Sequence, residues 1–191
     1  MPAPPKQRKI AVVGSRSVGK SSLTVRFVDG HFVESYYPTI ENTFSKLIRL
    51  KNGQEFATEI IDTAGQDEYS ILNSKHFIGV HGYIIVFSVA SKQSYEMVEH
   101  IKNKILDELG VSWVPIVVIA NKTDLRPEQK VIGKEDFEKL EKKLELDCPI
   151  IKCSARFDEN VNKAFEQIIM EIERGPPKPN EPAGGGKCLV M

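Results

Sequence analysis

The chain has 191 residues, 41% of them hydrophobic and 27% charged, with thirteen glycines and eleven prolines; these are the proportions of one folded domain with a short tail, not of a disordered or fibrous chain. Lys and Arg (26) balance Asp and Glu (26), which removes the basic footprint of a general nucleic-acid binder or a strongly basic membrane binder and leaves any charged ligand to be held locally. Three cysteines with no metal-like or paired spacing argue against a disulfide scaffold and fit a reducing cytosol, and no apolar run approaches the ~20 residues that span a bilayer.

In chain order, a short extension over 1–7 carries no signal-like apolar segment and has Pro2 where N-myristoylation needs glycine. The folded domain is expected over 8–174. A β-branched run at 9–13 reads as a strand, 20–29 as a helix, and 43–50 and 55–62 as two strands joined by a tight Asn52-Gly53 hairpin turn. A weaker helical stretch near 71–77 precedes a strand at 83–89 and a helix at 91–109. Then come a strand at 115–120, a helix at 134–146, a strand at 149–153 and a helix at 159–174, where Val161, Phe165, Ile168 and Ile172 recur at helical spacing. Short strands alternating with helices predict an α/β fold: a six-stranded, mostly parallel sheet flanked by about five helices. From Gly175 onward Pro and Gly dominate, so 175–191 is expected to be a flexible tail.

Four motifs punctuate this alternation. Directly after the first strand, Gly14-Ser15-Arg16-Ser17-Val18-Gly19-Lys20-Ser21 is a full phosphate-binding loop pattern, and a helix follows it as that motif requires. Its glycines let successive backbone N–H groups turn toward phosphates, and the new helix adds its positive N-terminal end. Lys20 is expected to neutralise phosphate oxygens, and the Ser21 hydroxyl to ligate Mg²⁺. An accidental full match in a chain of this length is an event on the order of one per cent. Asp62 stands where the third strand emerges, followed by Thr63-Ala64-Gly65-Gln66; beside a phosphate loop, such a carboxylate is placed to hold Mg²⁺ through a water.

Asn121-Lys122-Thr123-Asp124 follows the fifth strand and Cys153-Ser154-Ala155-Arg156 the sixth. Guanine presents N1–H and an exocyclic amine as neighbouring donors, and the two oxygens of one carboxylate, Asp124, can accept both. Adenine would set that carboxylate against a ring acceptor, and sites built on such pairs discriminate by ~10⁴–10⁵. Each motif alone has a bland reading as turn chemistry. Together they lie at the C-terminal ends of parallel strands, on one rim of the sheet, where a single nucleotide can touch all four.

In these residues the chain resembles the small GTPases of the Ras superfamily over about 8–174. The run from Arg16 to Thr24, the stretch Pro38-Thr39-Ile40-Glu41-Asn42-Thr43-Phe44 and the ending Cys188-Leu189-Val190-Met191 are most similar to the Rheb branch. The resemblance implies the family's roles for Ser17, Val18, Gly19 and Ser22 around the phosphates, for Phe32 over the guanine, and for Val33 and Glu34 beside the ribose. It further implies Thr39 as a ligand of Mg²⁺ and of the γ-phosphate, Gly65 as a γ-phosphate contact, and Gln66 as the group that orients the attacking water. Tyr36 would lie over the phosphates, Lys122 would belong to the base motif, and Ser154 and Ala155 would back the guanine. Arg16 occupies a loop position where Ras proteins carry glycine; its bulk there would crowd Gln66 and slow hydrolysis. Arg156 replaces a frequent lysine.

The expected activity is therefore GTP hydrolysis by a monomeric GTP/GDP switch with Mg²⁺. An activating protein of tuberin type and the target of rapamycin kinase complex as effector are implied by the resemblance alone. Cys188, fourth from the last residue before two aliphatics and Met, reads as a farnesyltransferase signal. With only Lys178 and Lys187 against Glu181 nearby, it predicts reversible, lipid-anchored association with the cytoplasmic side of endomembranes and a cytosolic pool. A P-loop ATPase or nucleoside kinase would share the phosphate cradle but not the Asn121–Asp124 pattern. A non-cycling nucleotide-binding scaffold would have less use for Gln66.

Overall fold

The computed structural model describes residues 4–35, 37–65, 76–144 and 148–178. Its elements run β1 (Lys6–Gly14), α1 (Lys20–Asp29), β2 (Glu41–Arg49), β3 (Glu55–Thr63), β4 (Gly82–Ser88), α2 (Lys92–Leu109), β5 (Ile116–Asn121), α3 (Lys134–Lys143), β6 (Ile150–Lys152) and α4 (Val161–Arg174), with a short 3₁₀ turn over Pro127–Gln129. The strands form one sheet in the order β2-β3-β1-β4-β5-β6. All neighbours are parallel except β2 and β3, which are antiparallel. The sheet thus matches the expected six-stranded, mostly parallel architecture.

Alternation along the central strands builds two cores. Ile10, Val12, Ile84, Val86, Val117 and Ile119 point to the face covered by α1 and α4, where Phe27 and Phe165 stack at 4.0 Å between ring centroids. Ala11, Val13, Ile85, Phe87, Val118 and Ala120 point to the other face, packed by Val98, Ile101 and Ile105 of α2. Both faces of β4 and β5 are buried throughout, as a parallel sheet covered by helices on each side requires. In α4, Val161, Phe165 and Ile168 are buried, with Ile172 packed against the same cluster, which is the stripe its periodicity predicted.

Several boundaries differ from the sequence expectation, each for a pairing reason. β1 begins at Lys6, because Lys6 and Gln7 pair with Phe56 and Ala57, so the last two residues of the expected extension belong to the sheet. Glu159 is held by Ser154 in an antiparallel bridge through both backbone hydrogen bonds, so α4 starts only after Asn160. α3 ends at Lys143, and residues 145–146 lie outside the described residues. Of the weak helix expected near 71–77, residues 71–75 also lie outside them, and among the described residues His76 is in a 3₁₀ conformation followed by a turn over 77–79. Four α-helices are therefore present among the described residues where about five were expected. The hairpin turn stands as predicted: Gly53 takes φ 83°, Asn52 accepts from the Gln54 N–H at 3.0 Å, and β2 and β3 pair from Glu41↔Thr63 to Arg49↔Glu55.

The order places the first strand in the middle, with β3 on one side and β4 on the other. That reversal opens a crevice beyond the C-terminal ends of the parallel strands. Because β2 runs antiparallel, its N-terminus at Glu41 lies at the same rim, opposite Thr63.

Candidate functional site

The loop from Gly14 to Lys20 leaves the central strand and turns at once into α1. Two of its glycines are fixed by space. A Cβ on Gly14 would lie 2.2 Å from the Val86 carbonyl oxygen, and one on Gly19 would lie 2.3 Å from Asn121 Nδ2. Gly19 also takes φ 97° as the N-cap of α1, a left-handed conformation that side chains resist. Inside the loop, Lys20 Nζ donates to the carbonyls of Gly14 (3.0 Å) and Ser15 (2.9 Å). The lysine is buried, and burial pushes its pKa down to about 8, opposed by the nearby Asp62 carboxylate.

Three oxygen-bearing side chains from three segments meet beside it. Ser21 Oγ, at the first turn of α1, donates to Asp62 Oδ2 at 2.5 Å and lies 2.6 Å from Thr39 Oγ1. Asp62 is fully buried, and burial raises its pKa, opposed by the Ser21 hydrogen bond and by Lys20. Its Oδ1 has no hydrogen-bond partner, nor does the buried Ser15 Oγ in the same loop. Buried polar atoms are seldom left unpaired without a functional reason. Two hydroxyls and a half-satisfied carboxylate are hard oxygen donors of the kind Mg²⁺ takes, so the residues present fit that ion.

Gly65 sits against the phosphate loop so closely that an added Cβ would meet Arg16 Cγ at 2.3 Å and Arg16 Cα at 2.6 Å. Arg16 is thus packed on the segment that leads to Gln66. Gln66 and Tyr36 themselves lie outside the described residues, as does Cys188.

At the other end of the rim the loops are tied to one another. Asn121 Nδ2 donates to the Val18 carbonyl at 2.9 Å, and its Oδ1 accepts from the Ala155 N–H at 3.3 Å. Lys122 Nζ donates to the Ser17 carbonyl at 2.7 Å, and both Lys122 and Ser17 take positive φ (67° and 61°). Ser154 Oγ donates to Asp124 Oδ1 at 2.8 Å and accepts from the Phe157 N–H, orienting the carboxylate that sequence singled out. Between these loops and the segment before β2 lies a cleft of about 360 Å³, lined among others by Gly19, Ser22, Phe32, Glu34, Asn121, Lys122, Asp124 and Ala155. Val33, 43% exposed, is not among the lining residues.

Sequence reasoning missed Leu125, which also lines the cleft, and Arg26, whose guanidinium contacts main-chain carbonyls of two loops. Leu125 was findable as the residue after Asp124. Arg26 was not, because two of its three partners are backbone atoms about 130 residues away in sequence.

A phosphate loop on the central strand of a sheet of this order, with an oxygen-rich pocket beside it and a bonded base-side cleft, defines a P-loop nucleotide-binding protein. The Ras family profile matches residues 9–174. The chain is 64% identical over 191 residues to the small monomeric GTPase RhbA of Aspergillus fumigatus, covering 100% of both chains. It is 60% identical to the GTP-binding protein rhb1 of Schizosaccharomyces pombe over 98% of this chain and 99% of that protein. With human GTP-binding protein Rheb the identity is 45% over 97% of this chain and 98% of the other. The chain belongs to the Ras family. It is a small GTPase that binds GTP and GDP and hydrolyses GTP, which sets aside the ATPase and nucleoside kinase alternatives.

Proposed function

We propose that this chain is a magnesium-dependent, lipid-anchored GTP/GDP switch of Rheb type, slow in intrinsic hydrolysis, that in its GTP form activates the target of rapamycin kinase complex. The observation that carries the reading is the arrangement of two unlike groups along one rim of the sheet: Lys20, Ser21, Thr39 and Asp62 gathered in one, Asn121 bonded to Ala155 and Asp124 to Ser154 in the other. A nucleoside triphosphate has the same polarity.

On this reading Ser21, Thr39 and Asp62 hold Mg²⁺, which when bound shields the negative charge of the phosphates. Lys20, desolvated and hydrogen-bonded to the carbonyls of Gly14 and Ser15, exchanges those partners for phosphate oxygens, whose negative charge favours its protonated form. The main-chain N–H groups from Ser17 to Ser22 turn toward the α- and β-phosphates. Phe32 covers the base, Val33 and Glu34 flank the ribose, and Asp124 accepts the two guanine donors while Ala155 meets the base oxygen. Water attacks the γ-phosphorus in line, oriented by Gln66, and GDP leaves as the second product after phosphate. Thr39 and Gly65 lose their tether when phosphate departs, and that loss is the signal.

The close packing of Arg16 on Gly65 supports slow hydrolysis, because it occupies space beside the segment that leads to Gln66; Tyr36 over the phosphates would add to it. An activating protein of tuberin type is the expected accelerator. Farnesylation and methylation at Cys188 supply the anchor, while among the described residues no helix is long and apolar enough to cross a membrane. The reading is tested by adding protein loaded with GTP or with GDP to purified target of rapamycin complex: kinase activity should rise only with the GTP form. Equal activity with both forms would remove the effector assignment. Cys188→Ser should empty the membrane fraction in cells with active farnesyltransferase.

A further inference from the structure

Arg26 projects from the last turn of α1 and does not line the cleft. Nevertheless its guanidinium makes three hydrogen bonds around the cleft's base end. Nε donates to the Ala155 carbonyl at 2.9 Å, one terminal nitrogen to the Arg156 carbonyl at 2.8 Å, and the other to the Gly30 carbonyl at 2.9 Å. The same guanidinium lies 6.0 Å from the centroid of the Phe32 ring, within cation–π range.

These contacts join parts of the chain about 130 residues apart. Gly30 is the left-handed C-cap of α1 (φ 75°), and its N–H already donates to the Arg26 carbonyl at 3.0 Å, so Arg26 closes the cap from both sides. Ala155 is gripped at both peptide groups: its N–H by Asn121 Oδ1, its carbonyl by Arg26. The other described side-chain link between the 32–34 segment and the 154–157 loop is the Arg156–Glu34 pair at 3.5 Å, with both side chains more than half exposed. Exposed pairs of that kind contribute little. A planar fork of charged donors aimed at carbonyls is the stronger fastening, and lysine cannot reproduce its geometry.

We propose that Arg26 is a positioning residue for the base end of the nucleotide site: it fixes the Ala155–Arg156 backbone against the α1 cap and the Phe32 ring, and so sets how long a guanine nucleotide is retained and how strictly guanine is chosen. The inference rests on the reading of this cleft as a guanine nucleotide site. Its effect is confined to the base side, since the phosphate loop, Lys20 and Asp62 have no contact with the Arg26 guanidinium among the hydrogen bonds described.

The test compares wild type, Arg26→Met, which keeps the apolar stem without donors, and Arg26→Lys, which keeps the charge without the fork. Two quantities are read on the full chain with magnesium: the dissociation rate of fluorescent GDP, and the GDP-over-ADP preference in competition. The expected result for Arg26→Met is release about tenfold faster and a GDP-over-ADP preference lowered by a similar factor, with Arg26→Lys in between. GDP release within twofold of wild type in both variants overturns the proposal. So does faster release with GDP and ADP weakened alike, the pattern of a general loss of stability. If Arg26→Met does not fold, the same two readings on Arg26→Lys decide. Failure of the underlying reading looks different: wild-type protein would then show no preference for GDP at all.

Discussion

The two ends of the nucleotide cleft are built differently. At the base end, Asn121, Lys122, Thr123, Ser154 and Arg26 each bond to a different loop or to its backbone, at distances of 2.7–2.9 Å. At the γ-phosphate end, residues 37–40 have neither helix nor strand, and Tyr37 and Ile40 are 76% and 90% exposed. A described tie of this stretch to the site is the Thr39–Ser21 contact at 2.6 Å. The base end is held by bonds among its own loops and therefore suits selectivity. Among the described residues the other end has fewer such bonds, so a ligand can supply contacts that order it, and it therefore suits signalling.

The largest effect should come from breaking the assembled end. Asp124→Asn removes a charged acceptor of two hydrogen bonds, each of about 1.5–3 kcal/mol, so GTP affinity should fall by roughly 10²–10⁴-fold. Xanthine nucleotides, which offer an acceptor where guanine has its amine, should gain, as nucleotide competition will show. Retained GTP affinity would take Asp124 out of the pocket. At the opposite end, Asp62→Asn should separate stability from binding. The nucleotide-free protein should be stabilised by about 1 kcal/mol, because a buried, half-satisfied charge is removed, and magnesium should no longer slow GDP release. Denaturant melts and release rates with and without magnesium measure the two.

A smaller change, roughly a few-fold or about 1 kcal/mol in barrier height, is expected in single-turnover hydrolysis with Arg16→Gly, which frees the space beside Gly65, and with Tyr36→Ala. Unchanged rates in both would contradict the account of slow turnover. The smallest effect lies in the sheet under the base loop. Burial pushes the fully buried Cys153 thiol up to about 12, with Glu159 adding to it. Above about pH 9 the unfolded thiol ionises while the folded one keeps its proton, so the unfolded state binds fewer protons and stability falls as pH rises. Relative to Cys153→Ala, wild type should lose less than about 1 kcal/mol near pH 9.5, and its Cys153 should resist thiol reagents until unfolded.

Much of this was legible in the residues themselves. The runs that became β4 and β5 read as buried strands because both faces are apolar, and the glycine spacing at Gly14 and Gly19 announced a loop that only glycine can make. The chemical motifs were legible because they follow strands, and strand ends in such sheets share a rim. What stayed hidden depends on contacts between distant segments. The late start of α4 follows from Glu159 pairing with Ser154. Lys46, an unremarkable residue of β2, donates to the carbonyls of Phe27 and Val28 and lies 4.8 Å from the centroid of the Phe27 ring, fastening the C-terminal end of α1. Such bonds to main-chain carbonyls leave no trace in side-chain spacing.

The most direct test of the central claim is chromatography of whatever small molecule the purified, unmodified protein releases when denatured. The account predicts about one guanine nucleotide, GDP or GTP, per chain, retained through purification in magnesium and lost on chelation. An empty cleft, or an adenine nucleotide in that proportion, would contradict it.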